Sequence, residues 1–224
     1  MAAVVSATLL QLAFVIYCIP MILIGMKNGL ALSVVSIGWG PKLGGVSFRS
    51  VEFRLNLFLP GGSVKFAEAT ELSNANLYAS NLGLRSSIMS KMLMYLSGSL
   101  FILCVGISIV GITNFEDKAL PILTALVHGA VNPLSFGAMC IREYYQIYKI
   151  SYMQAIGWSF ATFGLLSLIP LPYSDTGQAM RLIFDKYIIK YDKSESIMLV
   201  LHALVLLPIL FGWYIAFFYV LFTF

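Results

Sequence analysis

Charge is scarce in this 224-residue chain. Only 11% of its residues are Asp, Glu, Lys or Arg, while 59% are hydrophobic. Soluble domains carry roughly a quarter charged residues. A chain this apolar cannot hide its surface in a water-facing fold, so lipid must solvate part of it. The net charge of +4 is small, and no basic patch interleaved with aromatics appears, so nucleic acid is not an expected partner. Histidine is nearly absent: His128 and His202 are the two in the chain. Three cysteines, Cys18, Cys104 and Cys140, lie in apolar surroundings without CxxC spacing. That excludes a disulfide framework and reads as reduced, buried thiols. No basic segment precedes Val4–Ile16, which argues against a cleaved signal peptide. No phosphate-cradling Gly-rich loop and no Ser/His/Asp order is recognisable.

Long apolar runs are what the chain has. The expected spans are residues 3–26, 92–113, 153–171 and 197–222, each close to the ~20 residues that cross a hydrocarbon core. Pro20 lies in the first and should kink or fray its last turns. Gly98, Gly106 and Gly111, with Ser97, Ser99 and Ser108, give the second a small-residue face suited to close helix packing. Residues 114–118 read as a short polar turn. Residues 119–150 are apolar but interrupted by Pro121, His128, Asn132 and Pro133, which favours a broken or re-entrant segment over a full span. Tyr144, Tyr145 and Tyr148 follow in a short amphipathic stretch, and Trp213, Tyr214, Phe217, Phe218 and Tyr219 fit an interfacial belt near the C-terminus.

Residues 33–68 alternate apolar and polar with period two. Gly38, Gly40, Pro41, Gly44, Gly45 and Pro60-Gly61-Gly62 punctuate them. That is strand and turn chemistry, and it predicts a small antiparallel sheet at the membrane surface with a hairpin turn at Pro60–Ser63. Residues 69–90 are polar and predict a helix-and-loop mixture in water. Lys and Arg concentrate between the first two spans and at 173–195. If residues 119–150 do not cross, the positive-inside rule puts the sheet and the 173–195 loop in the cytoplasm and both termini outside; the expected setting is a bacterial inner membrane, with the protein multi-pass. The whole reads as one polytopic α-helical membrane domain, residues 1–224, with a small membrane-associated sheet.

The order of motifs is more specific than any one of them. An apolar helix is followed by Ser36-Ile37-Gly38-Trp39-Gly40-Pro41-Lys42, then Pro60-Gly61-Gly62-Ser63-Val64-Lys65-Phe66. After the second span comes Ser167-Leu168-Ile169-Pro170-Leu171-Pro172-Tyr173-Ser174-Asp175-Thr176-Gly177-Gln178. This order resembles the site-2 protease family of zinc intramembrane proteases, over nearly the whole chain and without room for a PDZ insert. The resemblance implies a first helix bearing two histidines one turn apart and a glutamate base, with an aspartate as third zinc ligand. The spacing back from Ser36 puts Tyr17 and Met21 at the histidine positions and Cys18 at the glutamate, while Asp175 matches the third ligand. Ser167 stands where an asparagine helps hold substrate backbone.

From these replacements the expectation is a protein that is not an enzyme and binds no metal or cofactor. It would serve as a structural or regulatory subunit of a hetero-oligomeric membrane complex, holding a partner's transmembrane or extended segment. Val64, Lys65 and Phe66 at the sheet edge, with Ser167 and Asp175 lining the cleft, are the binding candidates. A plainer role for Asp175 is an Asx-turn or N-cap of the helix starting near Gly177. Two alternatives stand beside this reading: an intramembrane protease with an unorthodox site, and a small transporter or channel component, against which the lack of ionisable residues within the spans counts.

Overall fold

The computed structural model describes residues 2–66, 88–170, 174–187, 200, 204–205 and 207–223. The polar stretch at 69–87, His202 and the Leu171–Tyr173 part of the proline motif lie outside the described residues.

The first apolar run forms helix α1, Ala2–Lys27, which has no charged residue before Lys27. It continues through Pro20 rather than fraying there. Two long strands follow, β1 (Leu32–Phe48) and β2 (Val51–Phe66). They turn at Arg49 and Ser50, where Arg49 adopts φ 54°. Each strand bends sharply where glycines take positive φ, at Gly38 and Gly40 in β1 and at Gly61 and Gly62 in β2. Only glycine enters that region without strain. The Pro60–Ser63 segment is thus a bend inside β2, not the expected hairpin turn.

The bends let one strand be read twice. Residues 32–37 of β1 pair antiparallel with the end of β2, from Leu32↔Phe66 to Ile37↔Gly62. The same residues also run alongside the start of β2, from Val34↔Glu52 to Ile37↔Leu55, with both numbers rising together. The start of β2 pairs on its other side with the second half of β1, from Lys42↔Asn56 to Phe48↔Val51. The small sheet is therefore mixed, not antiparallel throughout as its alternation suggested. Alternation specifies faces, not partners. One face carries Ser36, Glu52, Arg54 and Ser63. The other exposes Val46, Phe53 and Leu55. Among the described residues no strand pairs with the outer side of 62–66.

Helix α2 spans Ile88–Val110. Its buried residues, Met94, Gly98, Ser99, Ile102, Gly106 and Val110, recur at helical spacing on one face. A methyl group on Gly98 would lie 2.6 Å from the Tyr17 ring, so α1 crosses α2 there. One on Gly106 would run into the backbone of Ala161. Small residues replace side-chain packing with backbone approach, as membrane helices commonly do.

Gly111, at φ 91°, ends α2 and α3 begins at once, Ile112–Val131. The expected polar turn at 114–118 lies instead within the first two turns of α3. The Asn114 amide donates to the Val110 carbonyl at 3.0 Å, linking the two helices across the glycine. The apolar segment breaks at Asn132. A π-helical turn, Pro133–Gly137, follows, in which the Gly137 N–H donates to the Asn132 carbonyl five residues back at 3.0 Å. Then come α4 (Ala138–Ile150), α5 (Tyr152–Leu168), α6 (Asp175–Tyr187) and α7 (Leu207–Thr223). By length and composition α1 from Val4 and α2 can each cross a membrane, and α7 is a shorter apolar helix.

Two cores hold these elements. Ala13, Phe14, Tyr17, Cys18, Met21, Met94, Ile102 and Phe160 unite α1, α2 and α5. Ala138, Ile141, Ala216 and Val220 unite α4 and α7. Trp213, expected in an interfacial belt, packs on Gly129 and donates from Nε1 to the Leu126 carbonyl at 2.8 Å. It joins α7 to α3.

Candidate functional site

Asp175 opens α6, yet it does not cap that helix. The cap is Ser174, whose hydroxyl accepts from the Gly177 N–H at 3.1 Å and donates to the Ile169 carbonyl at 2.7 Å. The helix starts two residues earlier than expected, and the Asx-turn role falls to its neighbour. This frees the Asp175 carboxylate to point inward. The residue is 7% exposed. One carboxylate oxygen accepts from the Tyr17 hydroxyl on α1, the other from the Ser99 hydroxyl on α2. Three helices meet on one side chain. A buried carboxylate is costly unless its oxygens are satisfied, and here each oxygen has a hydroxyl donor.

The other positions expected near the motif helix lie in the same place. The Tyr17 hydroxyl stands 3.8 Å from the Met21 sulfur. Tyr17, Cys18 and Met21 are all buried in the first core. Tyr17 is held by edge contact with Phe163, ring centroids 5.5 Å apart. The predicted binding residues of the sheet reach this region too. Val64 and Phe66 pack against the first core, and the Phe66 ring occupies the space above Gly25. Lys65, alternating with them, is exposed. Ser167 is half-buried on α5 and is not a hydrogen-bond partner of Asp175 among the described residues. The serine beside the carboxylate is Ser99.

One polar contact fixes the sheet against the helix. The Gln11 side chain of α1 accepts from the Gly61 N–H at 3.0 Å and donates to the Gly61 carbonyl at 3.3 Å. It satisfies both backbone groups of a peptide that β1 does not reach at the bend, and unpaired groups of this kind are expensive away from water. Gly62, next along, abuts the Phe14 ring, where a methyl group would come within 2.7 Å.

Residues 22–209 match the model of Peptidase family M50. The chain belongs to that family. No curated protein matches the chain. The matched stretch contains the sheet, Ser167 and Asp175 and begins immediately after Met21. Membership in M50, a family of membrane-embedded peptidases, corrects one expectation outright. The chain was expected not to be an enzyme because Tyr17, Cys18 and Met21 replace the resemblance's histidines and glutamate. The family points to a protease, and those replacements do not establish inactivity.

The M50 resemblance implies zinc, which takes three or four N, S or O donors at about 2.0–2.3 Å. The groups around Asp175 are a phenol, an alcohol and a thioether, with the Cys18 thiol buried in the same core, and both carboxylate oxygens are already engaged. Among the described residues no three of His, Cys, Asp and Glu converge, and His128 sits apart on α3 against Phe136. These residues do not fit a zinc ion. What the cluster offers is a buried carboxylate with two exchangeable hydroxyl protons.

Proposed function

We propose that this M50 member is an intramembrane protease of unorthodox site, acting within a complex of membrane proteins on the transmembrane or juxtamembrane segment of a partner. The segment is received as an added strand along the outer side of 62–66, where Lys65 is exposed and where backbone N–H and C=O groups are available for β-augmentation. The sheet and α6 face the cytoplasm in this reading, in keeping with the clustering of Lys and Arg between the first two spans. Asp175 is the polar centre to which the segment is presented, with Tyr17 and Ser99 holding the carboxylate until it is engaged. A carboxylate so placed can accept a proton from water or from the Ser99 hydroxyl, the task of a general base.

The observation that carries the reading is the meeting of Tyr17 with Asp175. Two positions that the motif order assigns to one reaction centre touch, and the predicted receiving strand packs on the same core.

The test uses the full chain in mild detergent with a helical membrane polypeptide labelled on both sides of its span. A photo-crosslinker at Lys65 should trap that polypeptide, and the wild-type chain should release a shortened product that Asp175→Ala does not. Absence of any product, or a product unchanged in Asp175→Ala, overturns the proposal.

A further inference from the structure

A second polar site lies near the Val110 end of α2, away from Gly25 and Phe66. Helix α2 sets the scale: its Met94 end lies near Gly25 at the end of α1, and its Val110 end lies against Gly157 of α5. α2 is long enough to cross a membrane, so its two ends mark two interfaces. Near the Val110 end, α3, α4 and α5 line an open cavity of about 210 Å³ at Lys118, Ile147, Ile150, Ser151, Gln154 and Trp158.

The lining is divided in a way that suits one class of ligand. Lys118, Ser151 and Gln154 supply hydrogen-bond donors, and Ile147, Ile150 and Trp158 supply apolar wall. The Lys118 ammonium lies 5.3 Å from the Trp158 ring centre. That contact orients a cation without neutralising it. Glu116 and Asp117, exposed on the same turn, form no ion pair with Lys118 among the described residues. Around the mouth, Ile150 is 86% exposed, with Tyr152 and Met153 also bare. A charged lysine set among bare apolar side chains at a span's end meets phosphates on one side and acyl chains on the other.

We propose that this cavity binds the phosphate of one glycerophospholipid headgroup, with Lys118 as its charge partner, Ser151 and Gln154 as neutral hydrogen-bonding partners, and the acyl chains lying over Ile150 and Met153. The ligand is a lipid rather than free phosphate because half the lining is apolar and Ile150 and Met153 lie bare beside it.

The full chain, extracted gently and analysed by native mass spectrometry, should retain one phospholipid. Its thermal midpoint in detergent should rise with added phosphatidylglycerol and not with inorganic phosphate. Lys118→Gln should lower lipid retention about tenfold, the worth of one charge-assisted contact, with the lipid-free midpoint unchanged, because the side chain is exposed. Lys118→Arg should restore retention. Equal retention in wild type and Lys118→Gln overturns the proposal. So does protection or displacement by inorganic phosphate alone, which would make this a free-anion site. A Lys118→Gln chain with a lowered lipid-free midpoint and unchanged lipid-induced shift would mark Lys118 as structural and also sink it.

Discussion

The hydroxyl of Tyr17 on α1 donates to the carboxylate of Asp175 on α6, across 158 residues of chain. Ser99 on α2 completes the node. Removing the carboxylate takes the acceptor from Ser99 and leaves Tyr17 only the Met21 sulfur, while removing one hydroxyl leaves one carboxylate oxygen bare. Each stranded polar group costs about 1–3 kcal/mol. Asp175→Ala, Tyr17→Phe and Ser99→Ala should each lower thermal stability in detergent by amounts in that range. The pair Tyr17→Phe with Ser99→Ala should depart from additivity, since both act on one side chain. Strict additivity would show that the three groups do not form one network.

Gln11 supplies both hydrogen bonds of the Gly61 peptide. Gln11→Leu keeps the volume and removes both. The expected loss is about 2 kcal/mol or more, accompanied by faster amide exchange at Gly61 and Gly62. Gln11→Glu retains the acceptor and should fall between the two. Unchanged exchange at Gly61 in Gln11→Leu would show that the clamp is not what orders the bend.

The α2–α5 contact runs through backbone at Gly106. Gly106→Val should destabilise by about 1–3 kcal/mol or prevent assembly, since a filled interface cannot take added carbons without moving. Leu100→Val on the same helix, where the side chain is 47% exposed, should change the midpoint little. Similar melts for both variants would contradict the tight crossing.

The sheet carries the pH dependence. Arg54 and Lys42 hydrogen-bond the two oxygens of Glu52, each at 2.6 Å, and hold its carboxyl down at about 2, from an ordinary value of 4.5. A lowered carboxyl pKa contributes stability above its unfolded value and loses it as pH falls through the folded one. The advantage of wild type over Glu52→Gln should therefore be full above pH 4.5 and gone near pH 2. The group is solvent-accessible, so high salt should shrink it. A Glu52 carbon resonance that titrates near 4.5 would refute the assignment.

The family was legible because its signals are ordered motifs, and order survives the loss of individual ligands. The same order sets Tyr17 and Asp175 at positions that would face one another, and their side chains touch. Other features were hidden by the kind of information a sequence carries. Ser99 read as one small residue on a packing face, and nothing local distinguishes a serine that packs from one that donates to a carboxylate 76 residues on. Gln11 has no local motif around it, although a lone amide amid aliphatic residues of a span is itself a sign of a partner. The parallel pairing of Val34–Ile37 with Glu52–Leu55 leaves no trace in period-two alternation. Residues 114–118 resemble a turn because polar residues suit the opening of a helix as well as a loop. The cap at Ser174 outcompeted Asp175 because the longer-range partners of Asp175 lie on α1 and α2, beyond the reach of any local pattern.

Gln11 and Tyr17 ride on one rigid helix, six residues apart, which amounts to about 9 Å of axial rise. The first suspends the sheet and the second anchors the carboxylate. The distance between the place where a chain is gripped and the place where it is met is thereby written into a single stretch of α1, and the bundle carries its own ruler.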